Sequence, residues 1–137
     1  MLFIQWEDRY CIGHDIVDSQ HQRLFELINR LQQECSGGAG RDDTLQTINS
    51  LVDYALEHFA DEESLMQKIG FEGLDHHRRR HSSFVAKVTD MALDWGEGED
   101  VRAEDILLFL KEWLLDHVLT EDQQIGAVMR TRARAHL

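Results

Sequence analysis

The chain has 137 residues, 26 acidic and 14 basic side chains for a formal net charge of −12, two cysteines and no proline. That length suits one domain with one sizeable core. The acidic balance argues against sequence-independent binding to nucleic acid, which needs basic groups to displace counterions. No apolar run approaches the roughly 20 residues of a membrane span. The opening MLFIQWEDRY lacks the basic and apolar regions of a signal peptide. Cys11 and Cys35 are too few for a disulfide scaffold and read as reduced thiols, so a cytoplasmic location is expected.

Residues 1–17 read as an irregular arm, with Phe3, Ile4, Trp6 and Ile12 available for packing. A first helix is predicted over 18–35, with Asp18 as its N-cap, ended by the loop Ser36-Gly37-Gly38-Ala39-Gly40. A second spans about 43–69, opened by a capping-box pattern, Asp43 with Gln46, and closed by Gly70 as C′ residue. A third spans 74–95 and stops at Gly96-Glu97-Gly98. A fourth spans 103–125, with Glu104 and Asp105 suited to the positive end of its dipole. Residues 126–137 read as a tail whose basic run, Met129 to Leu137, is a frayed helix end or a docking segment.

Spacings of three and four recur in all four segments. They align His21, Leu24, Ile28, Leu31 and Cys35; Ile48, Leu51, Ala55, His58, Glu62, Leu65 and Ile69; Leu74, His77, His81, Phe84, Val88, Met91 and Trp95; and Ile106, Leu110, Trp113 and His117. Each row is the buried seam of an amphipathic helix. Short connections favour an all-α, up-down-up-down antiparallel four-helix bundle with an N-terminal arm, one domain over 1–137.

Five histidines and a glutamate lie on these seams: His21, His58, Glu62, His77, His81 and His117. An unpaired polar group in a core costs a few kcal/mol, against a total stability of only about 5–15 kcal/mol. In an antiparallel bundle all six fall at one end, within a few turns of about 5.4 Å. The pairs His58/Glu62 and His77/His81 are i,i+4 neighbours. A metal accounts for the set. Imidazole-rich ligation disfavours calcium and magnesium and leaves iron, zinc, copper and cobalt open. Five imidazoles exceed one four-coordinate zinc site, whereas two metals bridged by carboxylates use them all. The chain has no Glu-x-x-His, so the ferritin-like ligand pattern is absent.

In order and spacing, Asp18-Ser-Gln-His21-Gln-Arg-Leu-Phe25, His58-Phe-Ala-Asp-Glu62-Glu-Ser-Leu-Met66, His77-Arg-Arg-Arg-His81 and Trp113-Leu-Leu-Asp-His117-Val-Leu-Thr-Glu-Asp122 resemble the hemerythrin family, in particular its single-domain bacterial members. The resemblance covers residues 6–126. It implies a non-haem di-iron centre with an oxo or hydroxo bridge, which binds dioxygen reversibly by reducing it to hydroperoxide. His77, His81 and His117 would hold one iron, His21 and His58 the other, and Glu62 and Asp122 would bridge both. Spacing alone favours Glu121, at i+4 from His117, because on an ideal helix Asp122 points about 140° away. The choice of Asp122 comes from the resemblance.

A dioxygen site must exclude water, and Leu24, Phe25, Ala55, Phe59, Trp113 and Leu114 adjoin the expected ligands. In the family, residues like Trp113 and Leu114 wall the pocket. The expected function is therefore oxygen storage, transport or delivery to an oxygen-consuming enzyme. The rival functions are oxygen or nitric-oxide sensing, nitric-oxide detoxification and peroxidase-type catalysis. His14, His76 and His136 are expected to stand apart from the metals, and Arg78, Arg79 and Arg80 to form a solvated face.

Overall fold

A computed structural model describes residues 3–38, 40–98 and 102–135. Ala39, His136 and part of the tail lie outside the described residues. Helix α1 is Asp15–Ser36, α2 Arg41–Lys68, α3 Leu74–Gly96, α4 Ala103–Asp116 and α5 Asp122–Ala135. One π-helical stretch, His117–Glu121, joins α4 to α5 without leaving helical backbone, so the last three segments form the fourth rod of the bundle. α1 packs on α2 and α4, and α3 on the same two, which gives the antiparallel four-helix arrangement.

The helix ends follow local chemistry, with some departures from the expected boundaries. α1 begins three residues early. His14 is its N-cap, and the His14 ring accepts the Val17 N–H at 3.3 Å. Asp18 holds the arm instead, accepting the N–H groups of Ile12 and Gly13 at 2.8 and 3.2 Å. α2 starts from Gly40 with no side-chain cap, so the Asp43/Gln46 capping box does not form. At its other end Gly70 takes φ +65°. The Phe71 N–H reaches Met66 O and the Gly70 N–H reaches Gln67 O, a Schellman closure.

The arm is held along the bundle. Asn29 clamps it from both sides, accepting the Ile4 N–H at 2.9 Å and donating to Ile4 O at 2.8 Å. Trp6 meets Tyr10 and Phe25 edge-on and Tyr10 is tilted against Phe25, with centroids 5.2–5.4 Å apart.

The C-terminal stretch is also more ordered than the pattern suggests. α5 continues through Ala135. Its Ile125 is buried with Ile12, Val17 and Met66 in a small apolar cluster at that end of the bundle. Gly126 permits this approach, since a Cβ there would stand 2.7 Å from Ile12 O. Met129, one turn further along α5, packs on the same cluster, while Arg130, Thr131 and Arg132 are exposed.

Candidate metal centre

The seam histidines converge at one end of the bundle, at most 3% exposed, together with Glu62 and Asp122, which have no exposed surface. Their donor atoms form two groups, each compact enough to hold one ion. Glu62, His77, His81 and His117 make one; His21, His58, Glu62 and Asp122 make the other.

Both carboxylates face both groups. Glu62 Oε1 lies 2.6, 3.1 and 3.3 Å from the Nε2 atoms of His77, His81 and His117. Its Oε2 lies 3.1 and 3.4 Å from those of His58 and His21. Asp122 Oδ1 lies 3.0 and 3.1 Å from His77 and His117, and Oδ2 3.0 Å from His21.

The π-helical stretch places Asp122. Its N–H bonds to His117 O, an i→i+5 step that wraps five residues into one turn. Asp122 therefore stands on the inward face beside His117. Glu121, the residue that α-helical spacing favours, is turned outward, where its carboxylate sits 3.4 Å from Arg80 Nε and 3.8 Å from His76 Nε2. Arg80 also reaches Asp116 at 3.1 Å, so it ties α3 to α4 rather than standing free in solvent.

These atoms are close, yet many are not hydrogen-bonded. His21 Nε2, His58 Nε2, Glu62 Oε2 and both Asp122 oxygens are buried without a properly oriented partner. Lone pairs aimed at a common point, with poor angles toward one another, suit cations between them. The donor set of imidazole nitrogen and carboxylate oxygen fits iron or zinc.

Without a cation, protons take up part of the charge. Burial opposes protonation of His21 and His117, but Asp122 and Glu62 outweigh it and raise these groups to about 9 and about 10. Burial pushes the His58 imidazole down. Burial would raise Glu62 and Asp122, yet the surrounding imidazoles hold both carboxyls well below the usual range.

Beside the cluster is a small cavity of about 10 Å³, lined by apolar side chains from all four rods, among them Leu24, Ala55, Phe59, Trp113 and Leu114. A space this small and apolar stays dry. Phe59 stacks on the His81 ring at 3.8 Å, and Trp113 on that of His117 at 4.5 Å. Phe25 is buried with Trp6 and Tyr10, away from the cavity lining.

Sequence reasoning missed the side chains behind the imidazoles. Gln20 Oε1 accepts from His58 Nδ1 at 2.8 Å, and Glu63 Oε2 from His81 Nδ1 at 2.9 Å. Each sits next to a seam residue, Gln20 before His21 and Glu63 after Glu62, and that adjacency was the available signal.

A four-helix bundle with five imidazoles and two shared carboxylates at one end defines a class of dinuclear metal-binding proteins. The family model described as the hemerythrin HHE cation-binding domain matches residues 12–128. Bacteriohemerythrin of Stenotrophomonas maltophilia is 33% identical, with 99% of this chain and 90% of that protein covered. Myohemerythrin of Riftia pachyptila is 33% identical over 82% of each chain. A crystal structure of wild-type hemerythrin superposes with a TM-score of 0.84 at 26% identity, over 92% of this chain and 97% of that one. The chain belongs to the hemerythrin family.

Proposed function

We propose that the protein binds dioxygen reversibly at a non-haem di-iron centre and serves oxygen storage or delivery. His77, His81 and His117 would hold one iron and His21 and His58 the other, with Glu62 and Asp122 bridging. When bound, the iron pair supplies the two electrons that a reversible dioxygen carrier lends to its ligand. The observation that carries this reading is the placement of both carboxylates, each with one oxygen toward the three-histidine group and the other toward the two-histidine group. The two-histidine group has one imidazole fewer, which leaves room for a small exogenous ligand.

The protein's own residues supply the rest. Leu24, Ala55, Phe59, Trp113 and Leu114 exclude water beside the cluster, which suits an uncharged diatomic ligand and opposes proton-driven loss of that ligand in reduced form. No helix among the described residues is long and apolar enough to cross a membrane. Cys11 and Cys35 are both unpaired.

Oxygenation of the ferrous protein with iron quantified in the same sample tests this reading. Two irons per chain and a coloured oxygenated form that bleaches on deoxygenation are expected. One iron or none per chain, or steady turnover of peroxide or nitric oxide in place of reversible colour, would overturn it.

A further inference from the structure

Two of the clustered imidazoles have their outer nitrogen held by a side chain, and the two holders differ in charge. His81 Nδ1–H donates to the Glu63 carboxylate at 2.9 Å, and Arg78 Nε donates to the other oxygen of Glu63 at 3.1 Å. His58 Nδ1–H donates to the Gln20 carboxamide oxygen at 2.8 Å. The Gln20 amide N–H in turn donates to Asp61 at 2.7 Å, which decides which end of the carboxamide faces His58. In both cases the proton stays on Nδ1 and the Nε2 lone pair points into the cluster. The outer nitrogens of His21 and His117 are buried with no partner.

A carboxylate acceptor pushes more electron density through an imidazole than a neutral amide does, so Nε2 becomes the stronger metal donor. Here the charged acceptor serves the three-histidine group and the neutral one serves the two-histidine group. We propose that Glu63 is a positioning residue that makes the two metal positions unequal. The His77/His81/His117 position takes a divalent cation first, and Gln20 leaves the His21/His58 position the weaker one.

This inference rests on the two-metal reading above. The additional imidazole acts in the same direction, so the contribution of Glu63 is read from variants. The Glu63 side chain is 24% exposed, so replacing it leaves the apolar core intact. Such inequality anchors one cation firmly while the position with fewer protein ligands stays open to exchange.

The test uses the full-length, metal-free protein titrated with Zn²⁺, which is redox-inert. Calorimetry reads the two affinities, and nitrogen NMR of the imidazoles reads which rings respond. The first equivalent is expected to shift Nε2 of His77, His81 and His117, and the second that of His21 and His58. Glu63→Gln should weaken the first step about 10–100-fold and leave the second unchanged. Glu63→Asp should recover part of the loss, and Gln20→Glu combined with Asp61→Asn, so that position 20 faces no second carboxylate, should strengthen the second step. Before any metal is added, Glu63→Leu should release the His81 proton from Nδ1 into a mixture of tautomers. First-step response at His21 and His58, or a Glu63→Gln protein with wild-type affinity at both steps, would overturn this inference alone. A wild-type protein that takes up no zinc would overturn it together with the two-metal reading.

Discussion

The two ends of the bundle share one spacing rule and differ in what the rule buries. At one end the inward positions are Ile28, Leu31, Ile48, Leu51, Val88, Ile106 and Leu110, all buried and free of polar side-chain atoms. At the other they are His21, His58, Glu62, His77, His81, His117 and Asp122, equally buried and only partly hydrogen-bonded. Each aliphatic side chain at the first end contributes about 1.5–3 kcal/mol by leaving water. At the second, every unpartnered group costs free energy until a cation arrives. The apolar end folds the protein and, through rigid helices, imposes the geometry of the other end.

Metal removal should affect the two ends most unequally. Two positions each saturated 100-fold above Kd add about 5 kcal/mol to stability, on the order of 20 °C in Tm for a domain of this size. Calorimetric melts before and after chelation check the difference. Hydrogen exchange should place the lost protection around 58–62, 77–81 and 117–122 and leave the Leu31–Ile106 end protected. Uniform loss across the bundle would contradict the division.

Leu31→Ala probes the opposite end. It should cost about 2–5 kcal/mol, equally with and without metal, and leave the metal content per chain unchanged. Denaturant titrations of both forms measure it. A cost that depended on metal would show that the two ends are coupled.

A smaller, pH-dependent effect separates the ends further. In the metal-free fold His21 and His117 titrate near 9 and 10, above their ordinary 6.5. Their stabilising contribution is full below 6.5 and is lost as pH rises through 9 to 10. Glu62 and Asp122 contribute above their ordinary 4.5 and 3.8 and lose that contribution as pH falls below these values. The metal-free Tm should therefore fall between pH 6.5 and 10. Metal uptake near neutral pH should release protons, and affinity should rise with pH over the same interval. A flat Tm across that window would remove the account of the imidazole–carboxylate contacts.

The smallest structural change concerns the dry cavity. Leu114→Thr shortens the side chain and puts a hydroxyl beside Trp113 and Phe59. The fold should persist with a loss of about 2–4 kcal/mol, while the oxygenated ferrous protein autoxidises faster. Stopped-flow absorbance follows the decay, and an unchanged rate would dismiss Leu114 as a barrier to water.

Much of this arrangement is legible along the chain. His58/Glu62 and His77/His81 repeat at helical spacing, and the helical order puts all five seam histidines at one end. Less legible are features that depend on contacts from distant parts of the chain. Asp18 looks like a cap but binds the arm, because the helix already begins at Asp15, capped by His14. The basic tail looks frayed, but Ile125 and Gly126 seat the start of α5 against Ile12. Phe25 looks like a pocket wall, but Trp6 and Tyr10 fold back onto it.

By itself the sequence determined four amphipathic rods, their antiparallel order and the level at which the imidazoles gather, because residue spacing alone decides which face of a helix is buried. Spacing could not decide that Asp122, and not Glu121, turns inward; the motif resemblance named Asp122, and the structure shows what turns it. An α-helix cannot align residues five apart, and the i→i+5 winding at 117–121 is read from backbone hydrogen bonds rather than from periodicity. Only the tertiary structure decided that Glu63 and Gln20 stand behind different imidazoles, since each of those contacts joins two separate helices.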